Sequence, residues 1–381
     1  MDVKRLLKEY AYQNIPLMFD DAYALGCYAL QGCTGDSLAQ VQSIAVLSAL
    51  HNKATYRWRA DGSSSAKLPQ SAAPQIAGIC AAIFEKDIAC SEFGFLQPKI
   101  PYAMDNCGMG GDLVVTANVS TLAALIASSA GIPMCKHGSP ANTDEGRYGS
   151  SDFVEVLGIN TYPTKQELEA CVETENFGYS EALDTRYKLI HMQTHKIAML
   201  PHMNDVIGPI TNPLDPKILS RRVLGVNHLV PPKVLAEAYQ ILNDRKVTNL
   251  RHGLFVRGFG DTVESGMDEV SICLGGTQVV ELKDGVIREY HLDAEDFGLG
   301  PVSAASISPP QGMNKGEFSL RILKGEIGGA PLAMVLANAA MLFYLAEASS
   351  DLKECYRLAK DVHESGAAYR KACAVRMAVS A

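Results

Sequence analysis

The chain has 381 residues, 47% of them hydrophobic and 20% charged, which is room for two domains or for one large domain with a lobe. A formal net charge of −8 leaves no basic surplus and argues against nucleic-acid binding by phosphate neutralisation. No uninterrupted apolar run is long enough to span a bilayer, and the N-terminal MDVKRLLKEYAYQN has the pattern of an amphipathic helix and not of a signal peptide, so a cytoplasmic protein is expected.

The first hundred residues read as helices over 2–12, 19–31, 37–51 and 74–85, with Asp36-Ser37 as the N-cap of the third. Between the last two lies a polar, Gly/Ser-rich stretch at 55–72, which reads as an exposed loop and contains the only tryptophan, Trp58. The ten cysteines are scattered, with no C-x-x-C, as expected of buried thiols in a reducing compartment.

Residues 105–138 are where chemistry first becomes legible. A glycine-dense turn (Gly108, Gly110, Gly111) ends at Asp112; Asn118-Val119-Ser120-Thr121 opens an apolar helical run over 122–129; and a short β-like stretch closes on Lys136-His137-Gly138. Glycines let a ligand approach backbone N–H groups. Ser120 and Thr121 add hydroxyls at the positive end of a helix, and Lys136 adds a point charge. Together these parts make an anion cradle.

From 99 onward, short β-branched runs alternate with helices, the pattern of an α/β sheet. Strands are expected over 132–136, 222–224, 253–257, 269–273 and 277–282, the last joined through Asp284-Gly285 to a hairpin partner at 286–290. A helical insert is expected between 165 and 201, and further helices over 315–324, 331–348 and 352–365.

Taken in order, the motifs resemble the anthranilate phosphoribosyltransferase family nearly end to end. Its D-x-x-G-T-G-G-D is similar to Asp105–Asp112, its N-x-S-T to Asn118–Thr121, and its K-H-G to Lys136–Gly138. Its G-S-A-D-x-x-E-x-L-G corresponds to Gly149–Gly158, its G-P-L-x-N-P to Gly208–Pro213, and its acidic G-x-D-E to Gly266–Glu269. The resemblance implies an α/β protein with a small N-terminal helical domain and a large domain around a central mixed sheet. The expected division is 1–98 with 166–202 for the helical domain, and 99–165 with 203–381 for the phosphoribosyl-donor domain. A homodimer through the helical part is also implied.

The activity implied is magnesium-dependent transfer of 5-phosphoribosyl from phosphoribosyl diphosphate to a small aromatic amine, with anthranilate, in tryptophan biosynthesis, as the default acceptor. Gly108, Gly110, Gly111, Asp112, Asn118, Ser120, Thr121 and Lys136 would bind the donor, and Asp268 and Glu269, with Ser120 nearby, would hold Mg2+ through hard oxygen ligands. On the acceptor side the candidates are His137, Ser139, Arg186, His195 and Lys196. A non-catalytic relative binding nucleotides or nucleic acid is the alternative from another class.

Departures from the family pattern concentrate at the acceptor end. Met109 replaces the threonine of the diphosphate loop, and Ser139 stands where an asparagine is usual. The following loop is rewritten and carries Asp144 and Glu145, which are unfavourable beside a phosphate site unless a metal or Arg147 compensates. The family's acceptor-gripping arginine falls on His195 or Lys196, neither of which has a guanidinium's planar fork. His191 and His195, at i and i+4 with His202 beyond, are a rival zinc pattern.

Overall fold

The computed structural model describes residues 5–9, 17–51, 72–141, 148–195, 202–263 and 266–379. The chain separates into two compact units: Met1–Phe95 with Ala182–Pro213 and His228–Asn249, and Leu96–Glu181 with Leu214–Asn227 and Leu250–Ala381.

The first unit is helical. Helix Phe19–Gln31 lies against helix Ala72–Ala82, and two glycines set the closeness of that packing. A Cβ on Gly78 would run into the backbone of Phe19 and Tyr23, and one on Gly26 would meet Ala82. Asp36 caps helix Ser37–His51 as expected, accepting from the Ala39 N–H at 2.9 Å. The fourth helix continues as a π-helical turn, Ile83–Ile88, which brings Asp87 inward. Its buried carboxylate accepts the Leu189 and Ile190 N–H groups at 2.8 and 3.0 Å and so holds the start of helix Leu189–His195. The loop expected at 55–72 lies outside the described residues except for Ala72.

The second unit carries the sheet. Its strands are β1 (Ala103–Gly108), β2 (Met134–Gly138), β3 (Phe177–Glu181), β4 (Leu219–Gly225), β5 (His252–Phe259), β6 (Gly266–Met267), β7 (Thr277–Lys283) and β8 (Val286–Leu292). The order across the sheet is β3-β2-β1-β4-β5-β7-β8, with β6 paired to β5. The first five strands are mutually parallel; β7 and β8 add antiparallel, so the sheet is mixed. The β7–β8 hairpin turns on Asp284 and Gly285, both at positive φ (46° and 82°), as a tight Asp-Gly turn requires. Helices Val119–Ser129 and Gly329–Leu345 pack together and supply much of the core of this unit.

The strand expectations need correction in three places. The segment 269–273 is not a strand: only Gly266–Met267 pairs with β5, and Cys273 makes an isolated bridge to Val302. Its apolar run packs into the core without joining the ladder. Two strands, β1 and β3, lie where sequence pattern predicts none. β1 carries Asp105 and Asn106, poor strand formers by propensity, and β3 is short and contains Gly178 and Ser180. Both are almost wholly buried, so neither shows the alternation that marks a strand in sequence.

The division into units also differs from the expected boundaries. Residues 166–181 belong with the sheet, because helix Lys165–Glu175 stops at Asn176 (φ 54°) and feeds directly into β3, which pairs with β2. Helix Pro232–Asp244 instead belongs to the helical unit, where the Tyr239 hydroxyl donates to the Ile210 carbonyl at 3.3 Å.

Candidate active site

The strand order places a topological switch between β1 and β4. From that pair the chain winds outward in both directions, through β2 and β3 on one side and β5 on the other, which leaves a crevice at the carboxyl ends of β1 and β4. Two glycines stand in register there, Gly108 and Gly225, and the Met109 N–H donates to the Gly225 carbonyl at 3.1 Å. The turn that follows needs glycine at two positions, with Gly110 at φ 74° and Gly111 at φ 81°.

The turn is tied to the acidic segment 266–269. Asp268 Oδ2 accepts the Gly110 N–H at 2.6 Å, the Asp268 N–H donates to Asp112 Oδ1 at 2.7 Å, and the Leu113 N–H donates to the Gly266 carbonyl at 3.1 Å. Asn227, just beyond β4, donates from Nδ2 to the Gly110 carbonyl at 2.9 Å. The approach is so close that a Cβ on Gly108 would land on the Asp268 carboxylate.

This lacing brings Asp112, Asp268 and Glu269 together, with ligand oxygens all within 4.8 Å of one another. Burial, and then the charge of Asp268, pushes the Glu269 carboxyl up to about 8, against the opposing pull of Lys315 and of the Thr116 hydroxyl, which donates to Glu269 Oε2 at 3.0 Å. Burial with the charges of Asp268 and Glu269 likewise raises Asp112 well above the usual carboxylate range. Carboxylates crowded in this way, two of them buried, are an all-oxygen donor set that a hard divalent cation would relieve. Among the described residues this is the set of His, Cys, Asp or Glu side chains that converges as metal ligands; His191, His195 and His202 do not.

The other half of the cradle is helix Val119–Ser129, whose first turn carries Ser120 and Thr121. The Thr121 hydroxyl is buried with no hydrogen-bond partner among the described residues. Asn118 donates its N–H to Ser319 Oγ at 2.8 Å, which holds the start of the helix. Lys136, on β2, is 1% exposed; its ammonium donates to the Asn106 carbonyl at 2.5 Å and to Ser120 Oγ at 3.0 Å. Beneath it Asp105 and Arg222, both fully buried, form an ion pair at 2.5 Å across β1 and β4, and His137 Nδ1 lies 3.4 Å from the same Asp105 oxygen. Burial works against the charge on Asp105, but the Arg222 guanidinium, helped by His137 and Lys136, outweighs it and holds the carboxyl at about 2.

The chain matches the model of the glycosyl transferase family, a/b domain, over residues 101–369. It is 35% identical over 257 residues to anthranilate phosphoribosyltransferase of Helicobacter pylori (strain G27), covering 66% of this chain and 70% of that protein. The chain belongs to the anthranilate phosphoribosyltransferase family. Members of that family are pentosyltransferases, and this chain is an enzyme of that class. Its fold agrees over the full length of both chains with the family member from Thermus thermophilus (TM-score 0.74, 25% identity). The fold is also shared with the Saccharomyces cerevisiae enzyme solved with PRPP and Mg (TM-score 0.74, 21% identity, 99% of this chain and 98% of that one).

Within the family pattern, several expected residues stand in different relations from those anticipated. Asp112, expected to bind the donor, lies within the carboxylate cluster. The Gly110 N–H is engaged by Asp268, and Ser120 Oγ accepts from Lys136. Met109 is half-buried beside the turn. Ser139 follows β2, and its carbonyl accepts the Ser151 N–H at 3.3 Å. Of the acceptor candidates in the helical unit, Arg186 forks its guanidinium onto Asp184, at 2.7 Å through Nη2 and 2.9 Å through Nε, and stacks over Phe93 at 4.7 Å. His195 ends helix Leu189–His195, and Lys196 lies outside the described residues, as do Asp144, Glu145 and Arg147.

Sequence reasoning missed four contributors: Asn106, Thr116, Arg222 and Asn227. Thr116 lies two residues before the Asn118–Thr121 motif, and Asn227 becomes findable once β4 is seen to be the switch-point neighbour of β1. Nothing in sequence marks Arg222 as the counter-charge of Asp105, because that pairing exists only through the β1–β4 register.

Proposed function

We propose that this enzyme transfers the 5-phosphoribosyl group from phosphoribosyl diphosphate to a small aromatic amine, with anthranilate as the default acceptor, in a magnesium-dependent reaction. The observation that carries this reading is the Asp112–Asp268–Glu269 cluster laced to the glycine turn at the β1/β4 switch point. Asp112, Asp268 and Glu269 would hold Mg2+. When bound, it would neutralise charge developing on the leaving diphosphate.

The chain's own residues do the rest. Gly108, Gly110 and Gly111 keep the turn free of side chains, so that the donor can approach the backbone. Asn118, Ser120, Thr121 and Lys136 bind phosphate oxygens at the start of the helix. As the bond between the sugar carbon and diphosphate breaks, its electron pair leaves with the diphosphate; the amine nitrogen of the acceptor then bonds to that carbon and releases its proton to solvent. His137 and Ser139 are the proposed acceptor-side residues of the sheet-bearing unit. The Saccharomyces cerevisiae relative was solved with 4-fluoroanthranilate, which supports an aromatic amine. A homodimer and a cytoplasmic setting belong to the same proposal. Among the described residues no helix is long and apolar enough to cross a membrane.

The test is calorimetry with phosphoribosyl diphosphate and magnesium, followed by diphosphate release across a panel of aromatic amines. Donor binding and turnover on anthranilate are expected, and the double variant Asp268→Ala/Glu269→Ala is expected to lose magnesium-dependent turnover with its fold intact. No donor binding at millimolar concentration would end the transferase reading, and unchanged activity in the double variant would remove the metal assignment.

A further inference from the structure

A cation that the donor motifs do not include stands beside the carboxylate cluster. Lys315 opens helix Lys315–Leu323, whose N-cap Asn314 accepts the Glu317 N–H at 2.8 Å. A positive side chain in a first turn opposes the helix dipole, so local electrostatics do not favour a lysine at this position. Nor does a partner account for it: among the described residues its ammonium is in no hydrogen bond and no ion pair. It shares a cavity wall with Leu113, the residue that follows Asp112 in the chain.

Lys315 also lines a cavity of about 530 Å³, together with Leu113, Val115, Ser308 and Met313. Leu113 and Val115 lie on the segment that leads from Asp112 to Asn118, so the cavity runs along the stretch that joins the two halves of the donor cradle. Its walls are mostly apolar, and Lys315 is the cation among the lining residues.

We propose that Lys315 is a diphosphate-binding residue, its ammonium contacting the leaving diphosphate of the donor at the edge of the Leu113–Val115 cavity, beside the carboxylate cluster. This rests on the transferase reading above and extends it by a residue outside the recognised motifs. The step needs no proton from Lys315. The electron pair of the breaking bond stays on the diphosphate, and the ammonium balances part of that charge as a point cation.

The experiment uses magnesium diphosphate, which requires no acceptor, titrated calorimetrically into the wild type, Lys315→Met and Lys315→Arg, with steady-state kinetics alongside. Loss of a charge-assisted contact is expected to weaken diphosphate binding about 10- to 100-fold in Lys315→Met and to raise the donor KM in parallel. The acceptor KM is expected to stay within about 2-fold, and Lys315→Arg to recover most of the loss. Circular dichroism checks folding, and Lys315→Gln serves as a second neutral variant. Equal diphosphate affinity in the wild type and both neutral variants overturns the proposal. So does a change confined to magnesium affinity without diphosphate, since Lys315 would then only offset the carboxylates. Failure of the wild type itself to bind magnesium diphosphate overturns the transferase reading along with it.

Discussion

Arg222→Met is the substitution whose consequence the structure determines most sharply. Arg222 and Asp105 face each other on adjacent parallel strands, both fully buried, with 2.5 Å between the charged atoms. Methionine keeps much of the arginine's length and removes its charge, so Asp105 remains buried with only His137 and Lys136 to answer it. Removing one partner of such a pair costs about 3–5 kcal/mol, because the remaining charge is left without its partner in a poor solvent.

The pH dependence gives the test its direction. In the wild type Asp105 sits at about 2, below its ordinary ~3.9, so its contribution is present above pH ~4 and is lost as the pH falls through 2. That contribution is on the order of 2–3 kcal/mol. In the variant, burial dominates and drives the same carboxyl upward. The uncompensated charge then destabilises at neutral pH and is relieved by protonation on the acid side. The gap between the proteins is therefore expected to be widest near pH 7 and to narrow toward pH 4. Calorimetric unfolding across that range measures it, and hydrogen exchange of the β1 and β4 amides localises it to the sheet-bearing unit. The double variant Asp105→Leu/Arg222→Met is expected to recover most of the loss. A gap below about 1 kcal/mol at pH 7, or one that does not change with pH, would refute the reasoning.

Two further outcomes follow from the same physics. Burial and Asp268 hold Glu269 at about 8, so the stability contributed by its bound proton is present below its ordinary ~4.3 and is lost as the pH rises through 8. With chelator present, Glu269→Gln is expected to become progressively more stable than the wild type between pH 5 and 9, and millimolar magnesium to reverse the order; parallel melting curves would contradict this. Arg186 is engaged by Asp184 and Phe93, so Arg186→Met is expected to cost about 1–3 kcal/mol of stability in the helical unit while leaving the donor KM unchanged. Thermal unfolding and initial-rate kinetics separate the two effects.

Many parts of the fold are written locally. Helices Phe19–Gln31, Ser37–His51 and Leu352–Glu364 follow from apolar spacing and caps, and the β7–β8 turn follows from Asp-Gly, because helix periodicity and positive-φ turns are properties of neighbouring residues. The glycine turn, the helix opening at Asn118–Thr121 and the Asp268-Glu269 pair are legible for the same reason: each is a short string with its own backbone or charge requirement.

Tertiary structure alone decided what those strings do to one another. Asp105 and Asn106 lie in a central strand because Arg222, 117 residues away, answers the charge and Lys136 answers the Asn106 carbonyl. Asp112 joins the carboxylates because the Asp268 N–H, 156 residues away, reaches it. Lys315 shares a cavity wall with Leu113, next to Asp112, and nothing in its own neighbourhood of the sequence announces it. Local pattern is set by torsions and burial along a few residues, whereas charge pairing, a carboxylate's retained proton and a converging ligand set depend on distances that exist only once the β1–β4 register brings remote segments together.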